Sequence, residues 1–403
     1  MKPSVVILSP EPPYPLRGGG AFRIASLLHY FARFAEVDLI FLSDSGKPAE
    51  IPAGLVRRQT VIPLPVHNRA MWARYARNAR RALRGVPPLV DRVSGLEAEV
   101  ERALAGETYD LGLVEHFWAA NYVGQLKANC RQVALDLHNV ESTLHRRCAE
   151  TSEGLVAAGH RHFGRRCRAL EARLLPEFSL VLTTSAEDSA QVLGIAPDAK
   201  VAVYPNAYPY TERPEVPSAP LTVVFSGNFE YHPNIDGVRY LMRDIWPEIV
   251  KKIPAARLLL VGRGEEFVRQ YIQGDATVHV TGPVEDAVAE IARGAVVIAP
   301  LRTGSGTRLK ILEAWAAHRA VVATPLAAEG LAVESGHNIE LQDDPAEFAA
   351  AVCNLLKNPD QRRQLAECGL QCLRERYTWE AAWVTLDAIP QVTRIRQLSS
   401  YTG

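Results

Sequence analysis

The chain has 403 residues, 47% apolar and 22% charged, and its 45 Lys and Arg are balanced by 45 Asp and Glu. A zero net charge excludes the strongly basic balance of a nucleic-acid binder, and the length exceeds what one typical core supports, so two domains are expected. No apolar run approaches the roughly 20 residues that cross a bilayer.

The six cysteines include no C-x-x-C pair, and the first residues, MKPSVVILSPEPPYP, lack the apolar core of a signal peptide. A cytoplasmic setting without structural disulfides, zinc or other metal is therefore expected. Charge is unevenly spread: residues 1–205 hold 25 Lys and Arg against 21 Asp and Glu, and the rest 20 against 24. Between Ile51 and Val90 lie eight arginines and no acid.

Ser4 to Ser9 reads as a buried strand, followed by PEPPYPLRGGG and a helix bearing Ile24, Leu27, Leu28 and Phe31. A dinucleotide fingerprint needs its glycines in the turn directly after the strand, whereas eight residues intervene here, four of them proline. Gly18, Gly19 and Gly20 then either let backbone approach a ligand or merely start the helix. Val37 to Leu42 and Val61 to Leu64 continue the strand series. The Arg-rich segment 69–84 is an amphipathic helix suited to an anionic membrane or acceptor, or a solvated helix packed on its own domain.

Two strands end in polar residues, Leu111 to Glu115 in Glu115-His116 and Val133 to Leu137 in His138-Asn139. Ligands of open parallel sheets bind at carboxyl strand ends, so His116, His138 and Asn139 are expected at one crevice, unless the histidines simply cap their strands. Glu115, Asp136 and Glu141 are nearby candidate bases, and nothing in the pattern chooses among them. His160 to Leu175 reads as a long basic helix, and Leu180 to Thr184 and Val201 to Tyr204 as further strands. YPNAYPYTERPEVPSAP holds too much proline for helix or central strand and reads as a linker.

The alternation then restarts. Strands at Leu221 to Phe225, Arg257 to Val261 and Thr277 to Thr281 end in Gly227-Asn228, Gly262-Arg263 and Gly282-Pro283-Val284, the pattern of a doubly wound parallel sheet. These glycine loops either line a nucleotide or are plain turns. The most telling stretch is VVIAPLRTGSGTRLKILEAWAAHRAVVATPLAAEGL, Val296 to Leu331. A strand breaks at Gly304-Ser305-Gly306-Thr307, and a helix begins at Leu309. Free amides and the helix dipole suit a phosphate there. Arg308 and Lys310 add full charge, and Glu313, one turn on, can reach a ribose or pair with Lys310.

This run resembles the donor-nucleotide motif of family 4 retaining glycosyltransferases, and the similarity spans nearly the whole chain. The resemblance implies an α/β chain of GT-B fold, with two Rossmann-like doubly wound parallel-sheet domains facing across a cleft. These would be residues 1–205 on the acceptor side, 206–377 for the nucleotide sugar, and 378–403 returning to the first domain. It implies Arg308 and Lys310 at the diphosphate, Glu313 at the ribose and His116 near the donor sugar. Pro205-Asn206 matches the family's hinge motif, with Ala207 where glycine is usual. The chain departs from the family at Asn228 and Asn234, where many members carry a basic pair, and at Ser305, where an acid is usual.

The function expected is transfer of a sugar from a nucleoside diphosphate donor to a hydroxyl acceptor, with retention, no cofactor and no Mg²⁺, in cell-surface glycan or glycolipid synthesis. Acceptors would be sugars, lipid-linked or other hydroxyl compounds. The alternatives are a nucleotide-sugar epimerase of similar architecture, a non-catalytic nucleotide-sugar binder and, disfavoured by the proline-filled first loop, an NAD-linked oxidoreductase.

Overall fold

The structure, a computed structural model, describes residues 2–65, 71–214, 216–304 and 309–400. It divides into two compact units, Met1–Ala207 with Ala382–Gly403, and Tyr208–Ala381. Ser305, Gly306, Thr307 and Arg308, assigned above to the phosphate loop, lie outside the described residues, as does Arg69.

The first unit is built on seven strands: β1 (Ser4–Ser9), β2 (Glu36–Ser43), β3 (Arg58–Pro63), β4 (Leu111–Glu115), β5 (Val133–Asp136), β6 (Leu180–Thr183) and β7 (Val201–Val203). Their order is β3-β2-β1-β4-β5-β6-β7, with every neighbouring pair parallel. A parallel sheet is covered on both faces, which is why β4, β5 and β6 are buried along their whole length. The strand that starts with Arg58 and ends with Pro63 lies at one edge, and the short β7 at the other. Sequence order reverses between β1 and β4, so their carboxyl ends flank a switch point, the place where such sheets bind ligands. The chain's last helices close onto this unit: Trp383 Nε1 donates to Ser26 Oγ over 3.0 Å, and Tyr30 Oη to Asp387 over 2.7 Å.

The second unit repeats the scheme with β8 (Thr222–Ser226), β9 (Arg257–Val261), β10 (Val278–Val280), β11 (Val296–Ala299), β12 (Ala320–Ala323) and β13 (Glu340–Leu341). The order is β10-β9-β8-β11-β12-β13, again parallel throughout, with the switch between β8 and β11. Phe225, Phe229, Trp246, Trp315 and Phe348 fill its core. Among the described residues, no helix is long and apolar enough to cross a membrane.

Candidate active site

In the first unit the switch point is furnished from three directions. β4 carries Glu115 to the sheet edge, fully buried, and β5 does the same for Asp136. From the helix Gly19–Ala32, Arg23 reaches the same edge. Its Nε and Nη2 hold the two Asp136 oxygens at 2.7 and 2.6 Å, while Nη1 donates to Tyr204 O and Asn206 Oδ1 at 2.8 and 2.9 Å. All three nitrogens of this fork donate, and the guanidinium lies 4.5 Å over the Tyr204 ring. Asn206, matched above to a hinge motif, is thus a ligand of Arg23.

His138 is buried with Nε2 at 2.8 Å from Glu115 Oε2 and 3.3 Å from Asp136 Oδ2. His116 lies between two rings, 3.5 Å from the His138 centroid and stacked 4.3 Å from Trp118. Its backbone φ is +62°, a conformation that costs a residue other than glycine roughly 1–3 kcal/mol and that gathers at functional sites. The position is held from both sides, because His116 N donates to Asp136 O and His116 O accepts from Ala119 N. The His116 side chain makes no cap bond to the following turn and its ring lies in a stack, and Asn139 follows His138, half-buried.

Environment separates the two central carboxyls. Burial, then the neighbouring Asp136 charge, drives Glu115 well above the usual carboxyl range. Burial also works against ionised Asp136, but Arg23 and His138 outweigh it and hold that group low. Burial and the nearby His116 push His138 down to about 4. Environment thus pushes the two carboxyls in opposite directions, Glu115 towards holding a proton and Asp136 towards losing one, while the His138 imidazole is held towards its neutral form. Glu115, Asp136 and His138 bring ligand atoms within 4.8 Å of one another, yet a metal ion there would have to displace Arg23 from Asp136. Trp118 Nε1 donates to Glu141 Oε1 over 2.9 Å, and burial lifts Glu141 to about 7 despite that bond.

Glu11, directly after β1, is the carboxylate that sequence reasoning missed. Its Oε1 lies 3.4 Å from His116 Nε2, and its side chain remains 42% exposed. Gly20 permits this arrangement, since a Cβ there would sit 1.9 Å from Glu11 Oε1 and 3.2 Å from His116 Nε2. The groups that approach the glycine backbone are side chains of the same unit, and Gly19, next to it, is exposed. Burial raises the Glu11 carboxyl, but the His116 and His138 imidazoles more than offset it, so Glu11 stays ionised.

In the second unit the candidate residues gather at the β8/β11 switch. Lys310, in the helix Leu309–Ala316, donates from Nζ to Asn234 Oδ1 at 2.7 Å and lies 4.9 Å from the Phe225 ring centroid. Asn234 is buried and donates in turn to Asn228 O at 2.8 Å, while Asn228 Oδ1 accepts from Glu230 N. Asn234, seated on the Asn228 carbonyl, is thus a mount for the Lys310 ammonium. Gly227 lies against Gly262 backbone to backbone, since a Cβ on Gly262 would meet Gly227 O at 1.9 Å. Gly304 is buried, and Val284 and Leu309 are half-buried against the core. Arg263 is 61% exposed, 3.8 Å from Glu230. Glu313 is half-buried; burial lifts its carboxyl to about 7 against the pull of Lys310. Arg302, a nearby cation, is committed to Asp236 and the Tyr240 ring.

Residues 220–358 match the family model described as glycosyl transferases group 1. Among curated proteins, a phosphatidyl-myo-inositol mannosyltransferase of Mycolicibacterium smegmatis is 34% identical over 148 residues, 35% of this chain and 37% of that one. The chain spans about two fifths of the length of the curated relatives it matches. Among solved structures, a sucrose-phosphate synthase from Thermosynechococcus elongatus superposes with a TM-score of 0.72 at 18% identity, over 100% of both chains. HepE of Anabaena, in complex with UDP and glucose, superposes with a TM-score of 0.61 at 16% identity, over 99% of this chain and 98% of that one. Two parallel-sheet units, these neighbours and the matched segment together establish that the chain has the GT-B fold and that its second unit carries a glycosyl transferases group 1 domain.

Proposed function

We propose that the chain is a glycosyltransferase that takes a sugar from a nucleoside diphosphate donor and joins it to an acceptor hydroxyl, with retention at the anomeric carbon. The observation that carries this reading is the Lys310 ammonium, held on Asn234 at the carboxyl edge of the second sheet, with Glu313 one turn further along the same helix. In such a reaction the bond from the anomeric carbon to the diphosphate breaks and the bond to the acceptor oxygen forms. The acceptor's proton passes to the departing phosphate oxygen on the same face. Charge grows on the diphosphate, and a fixed cation stabilises it without metal or other cofactor. Neighbouring structures bound to UDP and glucose, or to UDP-2-fluoro glucose, favour a nucleotide sugar over other phosphates as the ligand. The reading extends to glycan or glycolipid synthesis on the cytoplasmic side of a membrane.

A thermal-shift panel of UDP-, GDP-, ADP- and TDP-sugars tests the donor, because a ligand that binds only the native state raises its melting temperature. At least one nucleotide sugar is expected to do so, followed by release of diphosphate when an acceptor is added. A panel without any shift would end the transferase reading, and donor turnover without acceptor would favour an epimerase.

The same assay reads Glu313. An ionised carboxylate accepts from two ribose hydroxyls, so donor affinity is expected to rise between about pH 6 and about pH 8, as a group lifted to about 7 loses its proton. Glu313→Gln should flatten that slope; an unchanged slope would remove Glu313 from the ribose.

For the membrane, the helix Met71–Arg84 exposes Arg80 and Arg84 beside Leu83, which is 90% exposed. Arg166 Nε donates to Gly85 O and links this helix to Gly154–Leu174, where Leu155 is 91% exposed. Apolar tips among arginines suit an anionic bilayer surface. Cosedimentation with vesicles containing phosphatidylglycerol should be lost in Arg80→Glu/Arg84→Glu. Equal binding to zwitterionic vesicles would refute the charge-led contact.

A further inference from the structure

The first unit also holds a cavity of about 440 Å³ outside the His138 cluster, at the carboxyl ends of β1, β2 and β3. This lies within the span of small-ligand sites, roughly 300–1,000 Å³. Its polar wall is Glu11, Ser43, Asp44 and Ser45, and its apolar wall includes Leu89 and Trp118. The indole of Trp118 is fixed by its bond to Glu141 and its stack on His116. Ser43 Oγ and Ser45 Oγ are 2.9 Å apart and support one another as donor and acceptor. We infer that this cavity seats an uncharged, hydroxyl-rich ring, a neutral sugar residue of the acceptor, and discriminates against phosphorylated or otherwise anionic ones.

The charge arrangement carries the argument. Among the described residues lining the cavity, Arg92 is the sole cation, and it is already committed: Nη1 donates to Pro65 O at 2.7 Å and Nη2 to Asp44 Oδ1. What remains is the Glu11 carboxylate, with no guanidinium or ammonium on it among the described residues. A phosphate would meet that charge without a partner to neutralise it. Sugar hydroxyls, by contrast, are donors for which carboxylates and serine oxygens are ready acceptors. A pyranose also has an apolar face that can lie against a rigid indole and the Leu89 side chain, which is 44% exposed. Glu11 belongs to both the cavity and the His116 stack, so a hydroxyl bonded to it would stand beside the candidate catalytic histidine. Ser43, Asp44 and Ser45 are short side chains at or just beyond the end of β2, which holds down the entropy lost on binding.

This inference rests on the transferase reading, since it names the acceptor class, but it can fail separately. The full-length protein, without donor, is titrated by calorimetry and saturation-transfer NMR with neutral methyl hexosides and disaccharides, and with the matching hexose 6-phosphates. Neutral compounds are expected to bind, and their phosphates about tenfold or more weakly, a difference of about 1.4 kcal/mol. Glu11→Gln should narrow that gap by improving phosphate binding. Ser45→Trp, at an exposed loop position, should fill the cavity and abolish neutral-sugar binding. The nucleotide-sugar thermal shift should survive in Ser45→Trp, which certifies its folding. Phosphates that bind as well as or better than neutral sugars, neutral sugars that do not bind, or binding that persists in Ser45→Trp would each overturn the assignment. Such a result would leave donor binding by the second unit standing.

Discussion

Lys310→Ala is expected to leave the fold intact, lower affinity for nucleoside diphosphate sugars and cut turnover by about a hundredfold or more, the scale on which one charge-stabilising donor acts in a desolvated site. The fold should survive because Lys310 is half-buried at a helix start and its ammonium bonds to a side chain rather than filling the core. Lys310→Arg should recover only part of the loss: Asn234 Oδ1 offers a single acceptor, and a planar fork cannot reproduce a point charge at 2.7 Å from it. Asn234→Ala is expected to act in the same direction but less, at about tenfold, because the ammonium stays present while its direction is lost. If the asparagine works through the lysine, the double variant Lys310→Ala/Asn234→Ala should be no worse than Lys310→Ala alone. Steady-state kinetics on the four proteins, with melting temperatures alongside, decides this. Wild-type turnover in Lys310→Ala would remove the ammonium from the site, and additive losses would make Asn234 an independent donor contact.

The strand series was legible because parallel strands buried on both faces read as near-continuous apolar runs; VVIL in β1 and VVIA in β11 leave little else to read. Helix limits were less so. The basic helix expected from His160 begins at Gly154, and its first turn carries exposed Leu155 and Val156, which break the period that marks a core-facing helix. The helix His232–Tyr240 continues through a π turn, Leu241–Ile245, into Trp246–Lys252. Pro247 lacks an amide hydrogen and its ring crowds the preceding turn, and the widened turn accommodates it within a continuing helix.

The candidate site divides the same way. His116 and His138 were found because strand order alone brings carboxyl strand ends to one edge. Arg23 was not, because an arginine within AFRIASLLHYF gives no sign that it faces inward at 2% exposure. Its partner Asp136 is 113 positions away. Asn234 was read as a missing charge, and only the adjacency of β8 and β11 reveals that it carries one belonging to another helix.

Arg23→Met is expected to be the most destabilising single change in the first unit, at about 3–5 kcal/mol, because it leaves the Asp136 carboxylate buried without its counter-ion. The lost bonds to Tyr204 O and Asn206 Oδ1 add to the cost, and Met retains much of the side-chain volume, so a cavity contributes little. The pH dependence identifies the mechanism. In the wild type Asp136 is held below its unfolded value, so its contribution is present above the usual carboxyl range and is lost as pH falls through the depressed value. Without Arg23, burial and a histidine that titrates near 4 are left, and the Asp136 value must rise. The deficit should then be full near pH 8 and shrink towards about pH 5 as Asp136 takes up a proton. Asp136→Asn in the Arg23→Met background should restore part of the stability, since an amide needs no counter-ion, whereas Asp136→Asn alone should destabilise by orphaning the guanidinium. Urea unfolding of the four proteins at both pH values tests the scheme. A deficit equal at both, or one that the second substitution deepens, would mean that Arg23 acts by packing and that the charge division of Asp136 and Glu115 does not depend on it.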